Sequence, residues 1–324
     1  MSQMRVSIVL ATYNGACYLQ EQLQSYITQK HRPHEVVICD DNSEDRTVSI
    51  LQEFAKSAPF DVRIFESKSR LGLTKNFERA LTLASGDILF LSDQDDLWLP
   101  SKLQNVLAYF ADHPEADVVI NDAYYGDEAL NITGDTVLGR VLKVGAPPRS
   151  HIAGACTAIT ANFRDFIIPF PEKGLPQYDV YLHRWANIFA TKHIIQLPLQ
   201  IWRIHGSNAS HSNELSRLVI KSAWGRYREF KNSFSYHSYT KVVEELLVMK
   251  QLLQERQHLL PNAASASVGI CRRELESIIE AYKLRAELAG KSRFKRIGLI
   301  YTLLMRGHYR RFKGIYSLAK DLLR

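Results

Sequence analysis

The sequence predicts an α/β protein: a mostly parallel central sheet covered by helices, followed by a helical, basic C-terminal region. Three observations carry this. Short apolar runs alternate with segments of helical period through the first hundred residues, the rhythm of strand–helix–strand units. Those runs end in polar clusters, as strands do where an open α/β sheet meets a ligand. Charge is also split. Residues 211–324 hold 22 Lys and Arg against 10 Asp and Glu, a net +12; residues 1–210 hold 19 against 24, a net −5. A domain is therefore expected over residues 1–211 and a helical region over 212–324.

Residues 5–11, Arg-Val-Ser-Ile-Val-Leu-Ala, read as a buried first strand, closed by the turn Thr12-Tyr13-Asn14-Gly15. Leu19, Leu23, Tyr26 and Ile27 then recur at helical spacing. Glu35 to Cys39 is the second strand, ending in Asp40-Asp41-Asn42-Ser43. Ser43, Arg46 and Thr47 open a helix with Val48, Leu51 and Phe54 on its apolar face. Asp61 to Glu66 is a third strand. Residues 73–84 form a helix carrying Asn76, Phe77, Ala80 and Leu81, and Ile88 to Leu91 form the fourth strand. Ala116 to Asn121 adds another. Residues 126–150 are turn-rich. His151 to Thr160 is strand-like, with Gly154-Ala155-Cys156 small enough for a ligand, or a neighbour, to approach closely. A helix over 177–190 and a strand over 193–201 follow, then long helices over 212–260 and 268–289 split by Pro261-Asn262. Trp98 and Trp185 read as core, Trp202 as core or packed on the tail, and Cys39 and Cys156 as small buried hydrophobes.

The size allows a large core. The four cysteines (Cys17, Cys39, Cys156, Cys271) are scattered without a C-x-x-C pair, the pattern of neither a zinc site nor a disulfide framework, and fit a reducing compartment. Arg5 interrupts the N-terminal apolar run, so no signal peptide is expected, and no run has the length of a membrane span. A cytoplasmic location follows from these readings.

The chemistry concentrates in Ser92-Asp93-Gln94-Asp95-Asp96-Leu97-Trp98 at the end of the fourth strand. Three carboxylates within four residues repel one another, so a proton or a cation must relieve them. A hard divalent ion does so and can bridge to phosphate. The plainer alternative is a solvated acidic turn leading into the helix near Pro100. Three polar strand tips (Thr12 to Asn14, Asp40 to Ser43, Asp93 to Asp96) should line one edge of the sheet. Neither G-x-G-x-x-G nor G-x-x-x-x-G-K-[ST] is present, which excludes a dinucleotide fingerprint and a P-loop.

Taken together, the first 210 residues resemble the inverting glycosyltransferases of family 2, with the nucleotide-sugar-binding GT-A fold. The resemblance is carried by Thr12-Tyr13-Asn14, by Val37 to Thr47, by Asp93-Gln94-Asp95-Asp96 in place of the D-x-D segment, by Tyr178-Asp179 and by Arg203-Ile204-His205-Gly206-Ser207-Asn208. Gln94 with Leu97-Trp98 behind it looks like the subgroup that includes bacterial rhamnosyltransferases. Tyr178 departs from the His frequent there. The resemblance implies a metal-dependent inverting transfer of a sugar from a nucleoside diphosphate (dTDP-, UDP- or GDP-linked) to a saccharide or lipid-linked acceptor in surface polysaccharide synthesis; it leans towards rhamnose.

On this reading Mn2+ or Mg2+ is held by Asp95 and Asp93, with His205 as a further ligand. Thr12, Tyr13, Asn14, Asp41, Asn76, Asp93, Gln94 and Arg203 contact the nucleotide sugar, Arg203 through phosphate, and Asp179 is the base. Alone, Asp179 reads as a charge complementing a helix dipole, and Asp40 rather than Asp41 as the residue fixing the strand-tip turn. Two other classes stay open. One is a catalytically inactive nucleotide-sugar-binding scaffold, against which Asp95 and Asp179 argue together. The other is a nucleotidyltransferase, which would need a basic loop that residues 11–17 lack. The tail reads as a solvated face, as a membrane anchor or as a nucleic-acid binder. Phe294, Ile297, Leu299, Ile300, Leu303 and Leu304, interleaved with basic clusters, favour an anionic membrane surface and argue against nucleic acid.

Overall fold

The structure, a computed structural model, describes residues 4–143, 145–174, 176–206, 236–261, 264, 267–288, 291–312 and 314–323. The chain divides into two compact units. The first comprises Met1–Phe170, Leu175–Ser207 and Leu259–Ala266; the second comprises Pro171–Gly174, Asn208–His258 and Ser267–Arg324.

The first unit opens with the expected alternation: β1 (Val6–Thr12), α1 (Leu19–Ile27), β2 (Glu35–Asp40), α2 (Thr47–Ser57), β3 (Asp61–Glu66), α3 (Leu73–Leu83) and β4 (Ile88–Ser92). Then come β5 (Leu97–Trp98), α4 (Lys102–Asp112), β6 (Val118–Gly126), β7 (Ile132–Thr136), α5 (Val137–Lys143), β8 (Thr157–Thr160), α6 (Ala161–Ile167), α7 (Tyr178–Phe189) and β9 (Lys192–Arg203). The strands form one sheet in the order β3-β2-β1-β4-β8-β6-β9-β5, with β7 paired to β6. The β3-β2-β1-β4 half is wholly parallel. Beyond it β8 runs antiparallel to both β4 and β6, so β6 again points the same way as β4, and β9 lies parallel to β6.

Central position explains the apolar runs. Every residue of β1, β2 and β4 is buried, as in strands covered on both faces, whereas edge strand β3 is not. One large cluster joins Ile8, Leu10, Tyr26, Val36, Phe90 and Trp98. Trp185 is fully buried against Phe166, as the sequence reading had it. Trp202 packs on Tyr125 within the first unit. Residues 126–150, where no regular element was expected, supply β7 and α5; the short exposed strand β7 leaves little hydrophobic alternation to read. All four cysteines are free.

Within the second unit α8 (Tyr236–Glu255), α9 (Val268–Leu288), α10 (Arg293–Met305) and α11 (Ile315–Leu323) are helical. The expected helix over 212–260 is seen from Tyr236 onward. Residues 212–235, the expected 211/212 boundary, Ser207, Asn208 and Asn262 lie outside the described residues. Among the described residues no helix is long and apolar enough to cross a membrane.

Helix α10 corrects one grouping made from sequence. Ile300 and Leu303 turn inward and cluster with Leu288 and Tyr309. Phe294, Ile297, Tyr301 and Leu304 stand outward at helical spacing, with Phe294 88% exposed. The two sets therefore differ in worth. Leu303→Ala is expected to cost about 2–5 kcal/mol, and Ile297→Ser to stay within about 0.5 kcal/mol, measured by denaturant unfolding of the full chain.

Candidate active site

The parallel register sets the tips of β2, β1 and β4 side by side, and the chain's polar clusters meet there. Gln94 ties two of them. Its Oε1 accepts the Tyr13 N–H at 2.9 Å, and its Nε2 donates to the Tyr13 carbonyl at 3.0 Å. Gly15 leaves room for this bridge, because a Cβ there would lie 2.2 Å from Gln94 Oε1 and displace the side chain. The Thr12 hydroxyl donates to Asp40, which also accepts from the Ser43 backbone and hydroxyl. Asp40 thus fixes the turn. Asn14 takes a positive φ of 45° and accepts from the Glu44 N–H.

Asp41 accepts the Leu71 and Gly72 amides at 2.6 and 2.9 Å, so it orders the loop that enters α3. That loop carries Arg70, whose guanidinium lies 4.0 Å over the Tyr13 ring. Asn76, buried on α3, donates to the Cys39 and Thr12 carbonyls and bridges the ends of β1 and β2. Thr12, Tyr13, Asn14, Asp41 and Asn76 are therefore brought together, but most of their polar groups already hold neighbouring protein atoms.

The acidic cluster divides in two directions. Asp96 turns inward, 1% exposed, and accepts from Gln200 Nε2 and the Arg203 backbone N–H. Burial first, then the charges of Asp95 and Asp93, drive its carboxyl well above the usual range. Asp95 meets His205, with Nε2 to Oδ2 at 2.9 Å. Asp93 is pushed up to about 7, mainly by burial and then by the charges of Asp95 and Asp179. Asp179 stands in the first turn of α7, where its carboxylate accepts the Val180 N–H, and burial raises its pKa too. Asp93, Asp95, His205 and Asp179 thus share one electrostatic site.

Several supporting residues gave no signal in the sequence. Lys102, fully buried, donates to the Ala155 carbonyl and to Gln200 Oε1, and its Nζ lies 3.9 Å over the Trp98 ring. Desolvation lowers its pKa to about 8. Through Gln200 it backs Asp96 with positive charge. Arg203 donates to the carbonyls of Asp95 and Glu128, and Tyr18 lies between Arg203 and His205, 4.2 Å from the imidazole by ring centroid. The Tyr18 hydroxyl in turn donates to Glu128. The space over Gly154 is filled by Tyr178, whose hydroxyl would lie 2.1 Å from an added Cβ, so the small residue there admits a side chain of the protein itself. Asp122, inside β6, holds the Leu138 and Ala123 amides.

Comparison with known proteins agrees with this architecture. Residues 7–165 match the sequence profile of Glycosyl transferase family 2. The dTDP-rhamnosyl transferase RfbG of Shigella flexneri is 30% identical over 241 residues, covering 67% of this chain and 81% of that protein. The UDP-Glc:alpha-D-GlcNAc-diphosphoundecaprenol beta-1,3-glucosyltransferase WfaP of Escherichia coli is 24% identical over 217 residues, covering 67% and 84%. Among solved structures, S. aureus TarS 1-349 in complex with UDP-GlcNAc superposes with a TM-score of 0.54 at 17% identity, over 86% of this chain and 92% of that one. The mannosyltransferase PcManGT of Pyrobaculum calidifontis, in complex with GDP-Man and Mn2+, gives 0.54 at 17%, over 99% and 84%. Both share the GT-A fold.

The buried carboxyls make stability depend on pH in a definite direction. A carboxyl whose folded pKa lies above its unfolded value contributes stability that is complete below the unfolded pKa. That contribution is lost as pH rises through the folded pKa, so for Asp93 the window runs from about 4 to about 7. Without divalent ions, the melting temperature of the wild type should therefore fall more steeply across this window than that of Asp93→Asn, as followed by thermal melts at half-unit pH steps.

Proposed function

The chain belongs to glycosyl transferase family 2, and from that membership we propose that it is a metal-dependent inverting glycosyltransferase moving a sugar, rhamnose from dTDP, onto a saccharide or lipid-linked acceptor. That the chain is a glycosyltransferase follows from the family; metal, donor, acceptor and residue roles are the proposal. One observation carries it above the others: the carboxyls of Asp93, Asp95 and Asp179 converge beyond the end of β4 with His205 on Asp95, and the charges of Asp95 and Asp179 add to burial in raising Asp93. A scaffold protein has no use for so costly a cluster.

The donor set suits a divalent ion. Asp93 and Asp95 offer hard carboxylate oxygens and His205 one imidazole nitrogen, and the charges of Asp95 and Asp179, which add to burial in raising Asp93, are a repulsion that a cation would relieve. Mn2+ or Mg2+ would be held by these three residues. When bound, the ion neutralises charge on the diphosphate leaving group. The remaining work falls to the chain. Tyr13, sandwiched with Arg70, offers a ring for the base to stack on. Asp41 keeps lone pairs beyond those given to the two loop amides and can accept an imide N–H. Gln94 and the Thr12–Asn14 turn shape the ribose side. Arg203, stacked on Tyr18, holds the Asp95 backbone beside the diphosphate.

Inversion in one displacement requires a base for the acceptor hydroxyl. Asp179 takes that proton as the hydroxyl oxygen attacks the anomeric carbon and the nucleoside diphosphate leaves. Burial suits the task, since a raised pKa makes the carboxylate a stronger base. The dTDP-rhamnose assignment rests on the relative from Shigella flexneri, which matches most of its own length.

The acceptor side is proposed to lie at the inner face of the cell membrane. Phe294, Ile297, Tyr301 and Leu304 form an exposed apolar stripe on α10, with Lys291 and Lys295 exposed beside it. An apolar face with basic residues at its margins is the composition of a helix lying in an anionic interface.

Two experiments test these readings. Wild type, Asp95→Ala and Asp179→Asn are offered dTDP-, UDP- and GDP-sugars with Mn2+ or Mg2+. Asp95→Ala should lose binding, and Asp179→Asn should keep it while turnover falls by about 10²–10⁴; unchanged turnover in Asp179→Asn removes it as the base. In the second, the full chain should sediment with vesicles containing anionic phospholipid, and a Phe294→Ser, Ile297→Ser, Tyr301→Ser variant should stay in the supernatant. Equal sedimentation of both proteins would refute the stripe.

A further inference from the structure

At the opposite edge of the sheet from the acidic tip, three side chains converge that the transfer reaction does not use. His113 follows the last turn of α4, Glu115 lies two residues on, and His193 is the second residue of β9. The segment His113-Pro114-Glu115 is held as a turn: the His113 N–H donates to the Tyr109 carbonyl, and the Ala116 N–H donates to the His113 carbonyl. Pro114 removes φ freedom from its middle. Glu115 Oε1 lies 3.3 Å from His113 Nδ1 and 3.6 Å from His193 Nε2, and one donor atom from each residue lies within 4.8 Å of the others.

Those separations have a chemical meaning. Ligands in a tetrahedral site with bonds of about 2.0–2.2 Å stand about 3.3–3.5 Å apart. The two Glu115 edges, 3.3 and 3.6 Å, lie at or close to that length. An ion pair of a single histidine with Glu115 would account for one edge; two imidazole nitrogens facing one carboxylate oxygen also match the donor placement around a shared cation.

The outer contacts point the same way. The other ring nitrogen of His193, Nδ1, lies 3.2 Å from the Tyr109 hydroxyl. A partner on the far nitrogen orients the ring and directs Nε2 inward, and with Nδ1–H donating to the hydroxyl Nε2 presents its lone pair, the arrangement seen around metal-bound histidines. The Tyr109 and His113 rings also pack at 4.2 Å, which holds the second imidazole. His193 is mostly buried while Glu115 and His113 reach solvent, so the site has an entry path and room for a water as fourth ligand.

We propose that His113, Glu115 and His193 form a binding site for a zinc-type transition-metal ion, distinct from the Asp93–Asp95 site. Two nitrogens and one oxygen suit Zn2+ or Co2+ better than Mg2+, which takes oxygen ligands. The ion would staple the end of α4 to the start of β9, two segments 80 residues apart in sequence.

Co2+ is the probe, because four-coordinate Co2+ absorbs strongly in the visible. Metal-free full-length protein, in excess Mg2+ to occupy the oxygen site, is titrated with Co2+ and then with Zn2+. One equivalent should give the tetrahedral band, and Zn2+ should abolish it. His113→Ala with His193→Ala should lose the band, and Tyr109→Phe should weaken affinity by about 10–100-fold. Asp95→Ala with His205→Ala should keep it. Glu115→Gln, a milder change at an exposed position, guards against misfolding and should also weaken binding while the far-ultraviolet circular dichroism stays unchanged. A band that survives His113→Ala with His193→Ala, a band lost in Asp95→Ala with His205→Ala, or no band at all would overturn the proposal.

Discussion

Repulsion among the carboxylates at the end of β4 is the constraint on which the rest of the site depends. A fully buried strand delivers Asp93, Asp95 and Asp96 to a sheet edge where Asp179 also arrives. Water cannot screen them well there, and burial raises Asp93, Asp96 and Asp179 together. The surrounding protein answers each charge separately. Asp96 receives Gln200, the Arg203 amide and, at one remove, Lys102. Asp95 receives His205. Asp93 receives little, and so the divalent ion proposed for this site has its clearest reason at that residue.

The second consequence is rigidity. Gln94 sits inside the acidic segment yet spends its amide on the Tyr13 backbone, so the tips of β1 and β4 move as one. Asp40 and Asp41 perform the same service for the β2 tip and the loop before α3. Much of the polar cluster is therefore framework that orients a few half-buried groups, namely Tyr13, Asp93, Asp95, His205 and Asp179. Arg203 contributes to the framework as well, through Nε and Nη1, which donate to backbone carbonyls.

The parallel half of the sheet was legible because each element there announces itself twice, by an apolar run and by a polar tip. Asp61 to Glu66 was read to the residue. The motifs also announce the family, since their order along the chain carries more information than any one of them. What sequence could not supply was the side-chain direction within a motif. Asp93, Asp95 and Asp96 look alike in a string, but only Asp96 is turned inward, because β5 pairs with β9 and presents Gln200 and Arg203 to it. Lys102 reads as an ordinary helix-start lysine until Ala155 and Gln200 arrive from 53 and 98 residues away. Gly154 suggested room for a ligand, and Tyr178 occupies that room. In α10 the apolar residues were seen as one group, and tertiary packing sorts them into two faces.

On the metal-dependent mechanism proposed above, a cation and a proton compete for the same carboxylates. Calorimetric titration of Mn2+ at pH 6, in two buffers of different ionisation enthalpy, counts the protons released on binding. Wild type should release about half a proton or more per ion, since burial and the neighbouring carboxylates push Asp93 up to about 7 and it must ionise to bind. Asp93→Asn should release distinctly fewer. Binding with no proton release in the wild type, or the same release from both proteins, would contradict it.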